Sequence, residues 1–171
     1  MEQLNGNVMI KLNNPYADLQ GYNCFGCSPA NTSGLRMEFF EDGEEIVSSW
    51  MPGQDYQGFH DILHGGIQAT MMDEIASWVV FLKLDTAGVT YQIKTRYKRP
   101  VHISKGAVTL RARLGQQRRS IASIEVVLQD GTGNLCSEGM VDYFVLPRDK
   151  AESELHYPGR AFFYHTHPGK T

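Results

Sequence analysis

One segment limits what this chain can become: residues 66 to 84, a stretch of helical length that is apolar on almost every side. At about 100° per residue, Ile67, Met71, Ile75, Trp78 and Leu82 fall on one stripe. Ala69, Met72, Ala76, Val79 and Val80 cover much of the remaining surface. A helix apolar nearly all round should be buried nearly all round, so something has to wrap it. Asp73, Glu74 and Lys83 interrupt the run, so it is not read as a membrane span.

The flanking sequence supplies the wrapping. Residues 35–40 and 45–51 read as two strands, with Glu41-Asp42-Gly43-Glu44 as the hairpin between them. Residues 52–61 form a Gly- and Pro-bearing loop into the helix. After Gly88, residues 89–97, 107–114, 121–129 and 135–146 are β-rich, and alternation is clearest in the last two. Their separators are Arg99-Pro100, residues 115–119 and residues 130–134. No second helix is available to cross between parallel strands, so the sheet should be largely antiparallel. The expectation is an α+β domain in which one curved antiparallel sheet lies around one long central helix. Residues 1–34 read as an N-terminal extension, 35–146 as the domain, and 147–171 as a polar then aromatic tail. That tail, with Phe162-Phe163-Tyr164, should lie over the domain or onto a neighbouring subunit.

A formal net charge of −3 gives no argument for wholesale nucleic-acid or membrane binding, so an anionic ligand needs a local basic patch. The N-terminus has no basic start followed by an apolar run of signal-peptide length. Three cysteines, an odd number, suit reduced thiols and a cytoplasmic protein.

Chemistry concentrates where the loop becomes the helix. In His64-Gly65-Gly66 two glycines let a ligand approach the backbone, and the first N–H groups of a helix have no internal partner. Such a positive helix end suits a carbonyl oxygen that gains negative charge during attack. The same triplet also serves as a plain glycine-bearing helix start. Further along, Asp73 and Glu74 stand in an apolar helix, Glu74 on the main stripe and Asp73 on the far side. A buried or interfacial carboxylate can act as base or nucleophile, but helical angle alone does not choose between the two.

His64-Gly65-Gly66-Ile67-Gln68-Ala69-Thr70-Met71-Met72-Asp73 resembles the signature of the PaaI-like acyl-CoA thioesterases, which have the hotdog fold. Their pattern is His-Gly-Gly, six mostly apolar or small residues, then the catalytic Asp. The likeness spans roughly residues 24–146 and takes in Cys24-Phe25-Gly26-Cys27, Gly88-Val89-Thr90, Tyr97-Lys98-Arg99-Pro100 and Asp130-Gly131. It implies hydrolysis of an acyl-coenzyme A, with Asp73 activating water or attacking the thioester directly. The Gly65 and Gly66 amides would polarise the carbonyl, His64 would orient the thioester or assist thiolate departure, and Thr90 would help position water. It also implies a homodimer or homotetramer with the active site at the subunit interface, so His64 and Asp73 could come from different chains. Where relatives often carry an Asn about six residues before His64, this chain has Gly58, with Gln57 and His60 as candidate substitutes.

Coenzyme A brings phosphates, which Arg is shaped to clamp. Among Lys98, Arg99, Arg111, Arg113, Arg118 and Arg119, the Arg118-Arg119-Ser120 turn is the preferred contact, with Arg99 beside the strand end. Cys24-x-x-Cys27 is half a zinc site, but no second Cys pair follows and His165-x-His167 is too ambiguous to complete it. Small buried thiols in a turn are the preferred reading, with neither metal nor cofactor expected. Gly169-Lys170-Thr171 and Gly131-x-Gly133 lack the rest of their nucleotide-binding motifs, and no Gly-x-Ser-x-Gly elbow occurs. A hotdog dehydratase or hydratase and a non-catalytic acyl-CoA-binding protein remain as alternatives. Met37, Phe39, Met71, Met72, Trp78 and Phe59 are the expected acyl lining.

Overall fold

The apolar run forms one long helix. In the computed structural model, which describes residues 8–164, α1 spans Gly65–Lys83. Met71, Ile75, Trp78 and Leu82 are buried, as are Met72, Ala76, Val79 and Val80 on its other sides. His165, His167, Gly169-Lys170-Thr171 and the first seven residues lie outside the described part. No described helix is long and apolar enough to cross a membrane.

The wrapping is a seven-stranded sheet, antiparallel throughout. Its strands are β1 (Ile10–Lys11), β2 (Phe40–Asp42), β3 (Glu45–Trp50), β6 (Gly88–Tyr97), β7 (Val108–Arg118), β8 (Ile121–Gln129) and β9 (Leu135–Val145), in the spatial order β1-β2-β3-β7-β8-β9-β6. A separate small hairpin, β4 (Gln57–Phe59) with β5 (Ile62–Leu63), occupies the expected loop. Helix α1 packs on β3, β6, β7, β8 and β9. The inward residues of β8, Ala122, Ile124, Val126 and Leu128, are all buried beneath it, as period-two alternation demands.

Three details differ from expectation. Residues 35–39 do alternate, with Leu35, Met37 and Phe39 buried, yet they lie before β2 begins. Their amides bond the preceding loop instead: Leu35 N–H to Phe25 O at 2.7 Å and Met37 N–H to Gly26 O at 2.9 Å. Residues 115–118 belong to β7, because the register shift between Leu114 and Gln116 is a bulge within the strand. The turn is therefore confined to Arg119 and Ser120. Finally, the C-terminal segment contains a short helix, α2 (Arg148–Leu155), and a 3-10 turn over Arg160–Phe163.

These outer segments close over α1. Phe163 is fully buried, with its ring 5.4 Å from both Trp78 and Phe81 and 6.3 Å from Tyr16. Its carbonyl accepts from Asn13 N–H at 2.7 Å, which ties the N-terminal segment to the C-terminal one. Asp85, just past α1, accepts from Tyr157 OH and Arg160 N–H and pairs with Arg148. Truncating a buried aromatic removes transfer energy and leaves a cavity. Phe163→Ala should therefore cost about 3–5 kcal/mol in a urea melt, and a loss under 1 kcal/mol would mean the segment is only loosely docked.

Candidate active site

The main residues singled out in the sequence gather at two places on α1, its start and its middle. At the helix start, His64 is the N-cap, and its Nδ1 accepts the Gly66 N–H at 2.8 Å. The Gly66 amide is thus already engaged, whereas that of Gly65, the first helical residue, precedes the i→i−4 ladder. Tyr97 OH donates to the Gly65 carbonyl at 2.7 Å, fixing the end of β6 against this cap. Burial pushes the Tyr97 hydroxyl pKa up, so it stays a donor. Gly58 lies against His64: a Cβ there would stand 3.3 Å from His64 Cδ2. A side chain at that position requires His64 to shift, so the cap and the glycine fit one another.

Asp73 lies at the second centre, nine residues on. One carboxylate oxygen, Oδ1, accepts from Thr90 Oγ1 at 2.8 Å and from Tyr143 OH at 2.8 Å, and Tyr143 OH also reaches the Asp73 carbonyl at 2.9 Å. Thr90 stands on β6 and Tyr143 opposite it on β9, so sheet register aims two donors at one helical carboxylate. Burial, reinforced by the nearby Asp73 charge, holds the Tyr143 hydroxyl well above its ordinary pKa and thus protonated. These bonds hold Asp73 in one orientation, and its second oxygen takes no hydrogen bond among the described residues.

At a helical rise of 1.5 Å per residue, Asp73 lies roughly 13 Å along the axis from the His64 cap. One thioester carbonyl cannot touch both in a single chain. The β6 strand that runs between them is the sheet edge, paired among the described residues only with β9. It presents Val89, Tyr91 and Ile93 to solvent, and Tyr91 is 68% exposed.

The other candidates distribute unevenly. Gln57 is taken up in its own turn, accepting the Asp61 N–H at 2.6 Å and donating to Gln54 O at 3.0 Å. It lines a depression with His60, Asp61 and Ser104. Lys98, Arg111 and Arg113 are held in ion pairs with Glu138, with Asp42 and Glu45, and with Glu125. Arg99, Arg118 and Arg119 are exposed and form no ion pair among the described residues. The row Thr90–Tyr143–Ala122–Gln117 crosses four strands, which puts Arg118 and the Arg119-Ser120 turn just beyond it, at the Asp73 end of the sheet.

The expected acyl lining assembles only in part. Met37, Phe39 and Trp78 border one cavity of about 430 Å³, whereas Met71 and Met72 are packed into the core and Phe59 on the small hairpin is 80% exposed. A second, mostly apolar cavity of about 320 Å³ lies beside Glu74, walled by Tyr16, Tyr22, Trp78, Phe81 and Ala87. Glu74 points away from Asp73, toward the Cys24–Cys27 loop, and burial lifts its pKa to about 8.

Tyr97 and Tyr143 were not singled out from sequence. A strand tyrosine carries a hydroxyl that seeks a partner, but only the folded structure names that partner.

Residues 60–137 match a family model described as the thioesterase superfamily. A Saccharolobus solfataricus protein provisionally named an esterase is 27% identical over 96 residues, covering 55% of this chain and 62% of its own length. The chain thus spans less than two thirds of the length of the curated relatives it matches. Among solved structures, a Haemophilus influenzae thioesterase superposes with a TM-score of 0.61 at 24% identity, covering 70% of this chain and 85% of that one. A Streptococcus mutans protein bound to acetyl CoA gives 0.62 at 14% identity, covering 77% and 98%. Through residues 60–137, which carry the helix and most of the sheet around it, the chain is similar to the thioesterase superfamily, and its fold is the hotdog fold of these solved structures.

Proposed function

We propose that the protein is a PaaI-like thioesterase that hydrolyses an acyl-coenzyme A to the free carboxylic acid and coenzyme A, at a site shared by two copies of the chain. The observation that carries this reading is the Asp73 carboxylate, held by Thr90 and Tyr143 at the uncovered edge of β6. That the similar Streptococcus mutans protein is bound to acetyl CoA supports the choice of thioester.

An exposed edge strand with apolar side chains is a template for another strand. A second copy, added antiparallel near the middle of β6 about a two-fold axis, sets the Tyr97 end of one strand beside the Thr90 end of the other. His64 and Gly65 of one copy then face Asp73 of the second. The Gly65 N–H, at the positive helix end, polarises the thioester carbonyl. Asp73 takes a proton from a water that attacks the carbonyl carbon, or its oxygen attacks directly to give a mixed anhydride that a water then hydrolyses to the acid and free Asp73. The C–S bond breaks, and the coenzyme A thiolate leaves and is protonated. Arg118 and Arg119, with Arg99, are the basic groups open to the coenzyme's phosphates.

A second reading, an acyl-CoA-binding protein without turnover, is favoured by one observation: the Gly66 N–H is occupied by His64. A thiol-release screen across short, medium, long and aryl acyl-CoAs separates the two. Hydrolysis predicts coenzyme A release from at least one ester; tight binding with no release from any would sink it.

A further inference from the structure

Cys24, Cys27 and Glu74 come from a loop and a helix fifty residues apart, yet their ligand atoms all lie within 4.8 Å of one another. Sequence spacing connects the two cysteines but gives no hint of Glu74 as a third donor. The loop is built around the carboxylate. A Cβ on Gly26 would stand 2.3 Å from Glu74 Oε2, so only glycine lets the loop backbone come this close. Cys27 O accepts from Asn14 Nδ2 at 3.1 Å, Cys24 O from Ser28 N–H at 3.1 Å, and Gly26 O from Met37 N–H at 2.9 Å.

The arrangement is short of positive charge. Among the described residues no Lys or Arg pairs with Glu74, although the carboxylate is largely withdrawn from water. Two thiols and a carboxyl cannot all ionise in such a place without a cation. The donor types select for a borderline-soft divalent ion. For Zn–S near 2.3 Å and Zn–O near 2.0 Å, a tetrahedral S···O edge is roughly 3.5 Å; Cys24 Sγ and Glu74 Oε2 are 3.4 Å apart. The same three residues line the apolar cavity, as does Trp78. We propose that Cys24, Cys27 and Glu74 bind one zinc ion, with the fourth position open to water or a ligand in that cavity. On binding, the protons held by the thiols and by the Glu74 carboxyl pass to solvent, and the ion fastens the N-terminal loop to α1 one residue from Asp73.

The test uses the full chain, reduced and stripped with chelator, then titrated with Co²⁺ in place of Zn²⁺. The proposal predicts a thiolate-to-cobalt charge-transfer absorption that saturates at one ion per chain and disappears on adding Zn²⁺. It also predicts a higher melting temperature with zinc. Cys24→Ser and Cys27→Ser, checked for folding by circular dichroism, should each weaken or abolish the band, and Glu74→Gln should keep it at lower affinity. Absence of the band in the folded wild-type chain overturns the proposal, as does a band unchanged in both Cys→Ser variants. Neither outcome depends on thioester turnover.

Discussion

Asp73→Ala should lower kcat on the best acyl-CoA by roughly 10²- to 10⁴-fold, the range that a positioned acid–base group contributes. The carboxylate is the one acidic group on α1 that is both oriented by two hydroxyl donors and next to an open strand edge. Asp73→Asn keeps an oxygen that Thr90 and Tyr143 can bond, so the fold should survive while the base is lost. Substrate binding should change less than kcat, because the lost interaction belongs to the attack on the carbonyl. Full activity in either variant would remove Asp73 from the mechanism. Glu74 is the internal comparison: it adjoins Asp73 in sequence but opens toward the cysteine loop instead.

Much of the architecture was legible because hydrophobic period reports burial directly. The helix at Gly65–Lys83 and the strand at Ile121–Gln129 were readable on that ground. Period alone does not say which backbone groups pair. Leu35, Met37 and Phe39 alternate like a strand, yet two of their amides bond carbonyls of the cysteine loop. A bulge imitates a turn when it falls among Gly115 and polar neighbours, so β7 reads too short. Helix α2 is brief and polar, and its anchors are long-range: Arg148 to Asp85, and Tyr157 OH to Phe81 O at 2.7 Å. The candidate site divides in the same way. His64, Gly65, Gly66, Asp73 and Thr90 stand in a motif with a fixed order. Tyr97 and Tyr143 become part of it only through the register that sets Thr90 opposite Tyr143.

The second large effect follows from the length of α1. With the His64 cap and Asp73 roughly 13 Å apart along the helix, the proposed two-fold pair has each chain supplying half of two different sites. Removing His64 spoils one half, removing Asp73 the other, and a two-fold pair built from one of each variant still contains one complete site. Neither parent homodimer contains any. The result does not depend on which acyl group the protein prefers, because it compares variants on a single substrate.

Mixing these variants is the most direct test. His64→Ala and Asp73→Ala chains, each purified, should be denatured together, refolded at equal concentration and assayed for coenzyme A release beside the separately refolded parents. Random pairing makes half of the dimers mixed, each with one of two sites intact, so the account predicts recovery to roughly a quarter of wild-type activity. A mixture no more active than the average of its two parents would contradict a site shared between two copies.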